Sequence, residues 1–243
     1  MVKQSDYVLH VGAISDTSLQ DSKEMFFYNY TVTKLIVDYA STLDIRVIYS
    51  SSAANYGLGD GVPNNIYGWS KLAAEDYGLK SDCDFIALRY FNVYGPHEDH
   101  KGNQASPLTK FTKQAQEDGI IKVFQLSEHY KRDFVCVEDL VAIVLSNRKR
   151  SGIYDLGTSE PISFKDVAEY VAECYNGEIE FIPFPEHLIG KYQEFTCAKR
   201  EWDDYKFIKV HHYLKWKLFG QMDVLISCCL LYTSDAADER SSV

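Results

Sequence analysis

Three short apolar runs, at residues 7–13 (YVLHVGA), 46–50 (RVIYS) and 85–90 (FIALRY), are separated by longer stretches that read as helices. Between the first two, Phe27, Val32, Leu35, Ile36 and Tyr39 mark a helix over residues 24–39. Between the second and third, residues 67–79 read as another helix. A strand that passes through a helix into the next strand forms a parallel pair with a right-handed crossover. The alternation therefore predicts the α/β class, with a doubly wound parallel sheet. Sites in such sheets lie beyond the carboxyl ends of the strands. Gly12, the run Ser50, Ser51 and Ser52, and Asn92 all fall at such ends.

Residues 47–71 (VIYSSSAANYGLGDGVPNNIYGWSK) hold the chemistry. Tyr67 and Lys71 are four apart, so on a helix they share a face. A phenol titrates at about pH 10, and a neighbouring ammonium stabilises its phenolate, which makes the two a candidate acid/base pair. In a chain with 18 tyrosines such a pair also arises by chance on a solvated helix face. The serine run at the end of the preceding strand raises the functional reading, because a hydroxyl there can face the same space.

With 243 residues the chain can bury one substantial core, or a domain and a smaller lobe. Its net charge of −10 argues against nucleic-acid binding through phosphates. The cysteines (Cys83, Cys136, Cys174, Cys197, Cys228, Cys229) include no C-x-x-C pair, which predicts reduced thiols and a cytoplasmic protein. The opening residues carry no signal-peptide pattern, and the longest apolar run, residues 224–232, is too short to span a bilayer. His10, His97, His100, His211 and His212 have no ligand spacing with cysteines or carboxylates, so no metal is expected. Trp69, Trp202 and Trp216 read as packing residues.

Downstream of Gly95-Pro96 the pattern changes to a polar loop, 97–106, and a helix, 107–118. Short strands at 121–124 and 134–137, a helix at 138–147 and a strand at 153–157 follow. A further helix opens at Ser163 with Asp166 three later, a capping box, and leads to a strand at 179–182. This divides the chain into a partial dinucleotide-binding domain, 1–95, to which 134–157 returns, and a substrate lobe, mainly 96–198. Residues 199–243 stay unassigned, and their polar end, SDAADERSSV, is expected to be disordered. No glycine-rich diphosphate turn precedes Val8. Gly57-Leu-Gly-Asp-Gly61 leads to Pro63 rather than into a helix and is read as a loop.

The order Ser, Tyr, Lys, together with Arg89-Tyr-Phe-Asn-Val-Tyr-Gly-Pro96, resembles the extended short-chain dehydrogenase/reductase family. By that resemblance the family serine is Ser52, with Ser51 as the alternative, and about the first two β–α units are absent, leaving a partial Rossmann-like sheet. Five further segments are similar to the ADP-L-glycero-D-manno-heptose 6-epimerases of that family. They begin at His97-Glu-Asp-His-Lys101-Gly, Lys131-Arg-Asp-Phe-Val135, Gly152-Ile-Tyr-Asp-Leu-Gly157, Phe181-Ile-Pro-Phe-Pro185 and Tyr192-Gln-Glu-Phe-Thr196. The resemblance covers about 8–198, and the segment after Tyr-Gly-Pro that contains Lys101 is its discriminating feature.

The resemblance implies NADP as cofactor, with NAD as the alternative, a nucleotide-sugar substrate and a homo-oligomer. Gly12, Ala13, Ser15, Asn29, Lys71, Val93 and Lys101 would line the cofactor. Asn92, Asn103, Phe124, Gln125, Leu126, Ser127, Arg132 and Tyr192 would contact substrate, the run 124–127 with Arg132 holding the diphosphate. Lys110 stands where the family often has a histidine. Plain alternatives exist: Asn92 as a turn cap, Arg132 in a solvated charge patch, Asp133 as an organiser of backbone, Tyr192 as packing. In the implied reaction a hydride leaves C6 of the heptose and returns to the other face of the ketone. Tyr67 and Lys101 would be the two acid/base groups, with Ser52 and Lys71 assisting. Lys101 would then need to be desolvated or close to another cation. Other nucleotide-sugar 4-epimerases or dehydratases, or an inactive fragment without the cofactor unit, are the alternatives.

Overall fold

The computed structural model describes residues 5–17, 19–147, 149–186 and 192–219, without the side chains of Asn103 and Phe219. The expectations for Asn103, Cys228, Cys229, the apolar run 224–232 and the polar end lie outside the described residues.

The first strand, β1 (Tyr7–His10), leads to α1 (Ser22–Phe26), whose free amides are capped by the Asp21 carboxylate. One π-turn, Phe27–Thr31, joins it to α2 (Val32–Ser41). Helical spacing foresaw one helix here; the wider turn inserts a residue that periodicity does not register, and it buries Asn29. Then come β2 (Arg46–Ser52), α3 (Ile66–Lys80), β3 (Phe85–Tyr90) and β4 (Asn92–Tyr94). A 3₁₀ turn, Asp99–Gln104, occupies the expected polar loop. Next are α4 (Pro107–Glu117), β5 (Ile120–Phe124), β6 (Lys131–Arg132), β7 (Phe134–Cys136) and α5 (Val137–Ser146). The described chain continues through β8 (Gly152–Leu156), β9 (Ile162–Ser163), α6 (Phe164–Tyr175), β10 (Glu178–Ile182) and α7 (Val210–Phe219). The Ser163–Asp166 capping box opens α6 as expected, with both reciprocal bonds made.

The main sheet has the order β1-β2-β3-β8, all parallel. One face buries Val47, Tyr49, Phe85 and Ala87 with Val37 and Ala40 of α2 and Ala74 of α3. The other buries Ile48, Ile86, Leu88 and Leu156 against Ile143 and Val144 of α5. Helices on both faces make this the doubly wound α/β arrangement. A second core gathers Leu108, Ile121, Val123, Val167 and Val171 around the β5–β10 pair. Val210, Tyr213 and Leu214 are buried in it, so the segment from 199, which the sequence left unassigned, is built into the fold as far as 219. Tyr94 donates to the Ile208 carbonyl at 2.8 Å. Trp69, expected to pack, is 46% exposed on α3. Among the described residues no helix is long and apolar enough to cross a membrane.

Candidate active site at the end of the second strand

Helix α3 starts where the Asn65 side chain accepts from the Gly68 amide at 2.8 Å. Gly68 lets the helix start press on the preceding loop: a Cβ there would lie 2.8 Å from the Ala54 carbonyl oxygen and 2.9 Å from Pro63. That approach carries Tyr67 to the end of β2. The Ser52 side chain lies by the Tyr67 phenol and works to lower its pKa, and its hydroxyl also caps the following 3₁₀ turn by accepting from the Ala54 amide at 3.1 Å. Alternation along the strand turns Ser51 to the face opposite Ser52. Ser50 donates to the Tyr90 phenol at 3.0 Å, and Ser51 donates to Glu75 at 2.5 Å. Of the two candidate serines, Ser52 is therefore the one that meets Tyr67.

Lys71, 3% exposed, donates to the Ser50 carbonyl at 2.7 Å. Its Nζ stands 4.7 Å from the Tyr49 ring centre and 5.9 Å from that of Tyr67. Burial pulls the Lys71 pKa down to about 8, against the opposing pull of Glu75. Burial also raises the Tyr67 phenol above its usual range, and the Ser52 contact offsets only part of that. The expected lowering of Tyr67 by Lys71 is thus not the net outcome in the chain alone, because both groups lose water together. His10 completes this cluster from β1. It is bonded to Thr33 at 2.8 Å, and burial followed by the Lys71 charge lowers its pKa to about 4.

Gly12, Ala13 and Ser15 follow the end of β1 and are exposed, with open space around Gly12. Asn29 behaves differently from a surface cofactor contact. It is buried, it accepts from the Ile14 amide at 2.7 Å and donates to the Ile14 carbonyl at 2.9 Å, and it reaches Ser70 of α3 at 3.0 Å. It therefore fixes the Gly12–Ser15 segment against α3. Asn92 and Val93 are half-buried in β4, and the Asn92 side chain accepts from Thr196 at 3.4 Å. Asp133 organises backbone, as one alternative held. Its carboxylate accepts from the amides of Thr158, Ser159 and Ala198.

Lys101 sits in the 3₁₀ turn with 42% of its side chain exposed, 3.3 Å from Glu98. No described hydrogen bond, ion pair or ring contact joins it to Tyr67, Lys71 or Ser52. Its surroundings are the reverse of the desolvated or cation-flanked site expected, since its close neighbour is a carboxylate. Burial works to raise Glu98, but bonds from Ser106 and Thr109 and the Lys101 charge outweigh it and leave Glu98 lowered. Sequence reading missed Glu98; its spacing of three from Lys101 was the available signal.

In the second lobe, Phe124, Gln125 and Leu126 are exposed at the end of β5, and Leu126 takes a φ of 63°. Ser127 is 2% exposed and its hydroxyl has no hydrogen-bond partner in the described chain. Arg132 is buried between the rings of Phe164 and Tyr192, 5.4 and 5.1 Å from their centres. It donates to the carbonyls of Lys131 and Gln193. Burial lowers its pKa while Tyr192 opposes that. Arg132 is not in a solvated patch. Tyr192 packs, joining a ring cluster with Tyr130, Phe164 and Phe184. Lys110 is exposed on α4.

A cleft of about 610 Å³ lies elsewhere, lined by Gly157, Thr158, Trp202, Tyr205 and Phe207, and shares no residue with the Tyr67 cluster. Among the described residues no group of three or more His, Cys, Asp or Glu side chains is placed to hold a metal ion. Buried Glu75 and its partner Arg89 also escaped the sequence reading, although Glu75 follows Lys71 by one helical turn.

Residues 1–157 match the model of the NAD dependent epimerase/dehydratase family. The chain is 40% identical over 213 residues to the ADP-L-glycero-D-manno-heptose-6-epimerase of Alkalilimnicola ehrlichii, covering 79% of this chain and 66% of that protein. It is 37% identical over 210 residues to the one of Brachyspira hyodysenteriae, with the same coverage. The solved ADP-L-glycero-D-manno-heptose-6-epimerase of Helicobacter pylori superposes with a TM-score of 0.78 at 28% identity, over 88% of this chain and 72% of that one. The chain thus spans 66% of the length of the curated relatives it matches. With that extent of sequence and fold in common, the chain belongs to the NAD dependent epimerase/dehydratase family.

Proposed function

We propose that the protein epimerises a nucleotide sugar, ADP-glycero-manno-heptose at C6, through a ketone intermediate. The observation that carries this is the meeting of Ser52, Tyr67 and Lys71 at the carboxyl end of β2. The heptose is favoured over other sugars by the relatives' names and by the Lys101 segment after Tyr-Gly-Pro. The cofactor is a nicotinamide dinucleotide, NADP with NAD as the alternative, and when bound it supplies hydride acceptance and return. Open space at Gly12 and the exposed Ala13 and Ser15 suit it, with Asn29 holding their segment. Lys71 and Val93 would contact it, and Lys101 as its segment implies.

Tyr67 takes the proton of the C6 hydroxyl. Ser52 hydrogen-bonds the reacting oxygen and steadies its developing charge. Lys71, close to half-protonated near pH 8, keeps positive charge at hand for the phenolate. Lys101 serves the second orientation of the ketone after parting from Glu98. Arg132 and Ser127, with Phe124, Gln125 and Leu126, hold the nucleotide diphosphate. A planar guanidinium suits that group, and the Ser127 hydroxyl is buried with no hydrogen-bond partner in the described chain. Asn92, Asn103, Lys110 and Tyr192 complete the substrate contacts.

Residues 1–95 with 134–157 form the cofactor half, and 96–198 the substrate lobe. β1 is the edge of the sheet, and Tyr7, Leu9 and Val11 beside it are exposed, which suits further strands carrying the diphosphate turn. Exposed Leu35 and Tyr39 on α2 and Trp69 and Leu79 on α3 suit a second copy of the chain. The scattered free thiols suit a reducing cytoplasm.

The test is conversion of ADP-heptose, against UDP-hexoses, by the protein at the full length of its relatives. Conversion of UDP-hexoses alone would point to another epimerase or dehydratase of the family. The span of 66% of the relatives favours a second reading for the chain by itself, an inert fragment. Titration with NADP and NAD separates these, since absence of binding identifies the fragment.

A further inference from the structure

We propose that Glu75 is a positioning residue of this site, whose buried carboxylate ties the serine end of β2 to β3 and supplies the counter-charge for Lys71. Tyr67, Lys71 and Glu75 follow one another at successive turns on one face of α3. Glu75 is wholly buried. It accepts from Ser51 at 2.5 Å and from Arg89 in a fork, Nε at 3.0 Å and Nη2 at 2.7 Å. Ser51 in turn accepts from Asn55 at 3.2 Å. The Arg89 guanidinium lies 4.6 Å from the Tyr56 ring centre, and Tyr56 donates to Asp155 at 2.7 Å. Asp155 accepts from the Lys199 amide and, through its carbonyl, from Trp202.

A buried ion pair is a weak source of stability, and apolar replacements often do as well. What it does here is geometric. One carboxylate fixes Ser51, next to Ser52, relative to the helix that carries Tyr67 and Lys71. The titratable groups around Lys71 are Tyr67 and Glu75 on its own helix, Tyr49 on β2 and His10 on β1. Glu75 is the carboxylate among them.

The role assigned to Glu75 rests on reading Ser52, Tyr67 and Lys71 as the reacting set, but its test does not. The chain is labelled with ¹³C-lysine and titrated from pH 6 to 10.5 without cofactor or substrate, the Lys71 Cε resonance being assigned with Lys71→Met. The parent midpoint is expected near pH 8. Glu75→Gln should lower it by about one pH unit or more, and Glu75→Asp, which keeps the anion, should restore most of that. A residue that only packs would lower stability and leave the Lys71 midpoint in place. An unchanged midpoint in folded Glu75→Gln overturns the proposal. If that variant does not fold, Glu75→Gln combined with Arg89→Met removes the pair together. A fall smaller than that of Glu75→Gln is then expected, because the opposing Arg89 charge leaves with the carboxylate, and a midpoint that does not fall at all overturns the proposal equally.

Discussion

The Lys71 ammonium donates to the Ser50 carbonyl at 2.7 Å and stands 5.9 Å from the centre of the Tyr67 ring, so a single strand end sets the place of both amine and phenol. Ser52, two residues on, adds the hydroxyl. In the full-length protein Ser52→Ala should cut turnover strongly while lowering stability by only about 1 kcal/mol, the worth of the cap it provides to Ala54. Steady-state rates beside urea unfolding check this. A stability loss with an unchanged rate would reduce Ser52 to a cap.

Lys101 and Glu98 give a second expectation. Lys101→Met should reduce epimerisation by about 10²–10⁴-fold, the usual contribution of a general acid/base. Glu98→Gln frees the lysine from its carboxylate and loosens the Ser106 and Thr109 bonds that hold the turn. It should change the rate far less than Lys101→Met does. Equal losses in both variants would mean that the turn matters and the amine does not.

Ser127 separates binding from folding. Its hydroxyl is buried without a partner, so Ser127→Ala should leave the unliganded chain as stable or slightly more stable. ADP binding, measured by calorimetry, should weaken. Arg132→Lys should weaken it more, since the planar fork is lost. Unchanged ADP affinity in both would move the diphosphate away from this end of β5.

His10 and Asp139 titrate in opposite senses. Burial, then the Lys71 charge, lower His10 to about 4, so the folded chain resists its protonation and stability from it rises from pH 4 to 6.5. Burial raises Asp139 to about 6, against bonds from Ile208 and Tyr205, so its contribution is full below the usual 3.8 and is lost as pH rises through 6. Each corresponds to about 3 kcal/mol at most. Urea midpoints between pH 4 and 6.5 should therefore vary little in the parent. They should fall with pH in His10→Gln and rise with pH in Asp139→Asn. Parallel profiles in all three chains would contradict this assignment.

The fold was legible where one physical signal dominated. Apolar runs marked β1, β2 and β3, apolar residues at helical spacing marked α2, and the Ser163–Asp166 pair marked the start of α6. The π-turn at Phe27–Thr31 was not legible, because its cause is a tertiary one, the clasp of Asn29 on Ile14. The Tyr67–Lys71 spacing marked the site, but three adjacent serines could not be told apart until strand alternation sent Ser51 to Glu75 and Ser52 to Tyr67. Glu98 and Glu75 were missed for one reason. Each acts through a partner, and nothing in a linear pattern marks a carboxylate as buried.

The most direct measurement is the interconversion of the two C6 epimers of ADP-heptose by the full-length protein and its Tyr67→Phe variant, followed by chromatography of the nucleotide sugars. The expected result is equilibration by the parent and a rate at least about 100-fold lower in the variant. A Tyr67→Phe protein that equilibrates the epimers within a fewfold of the parent rate would contradict the account.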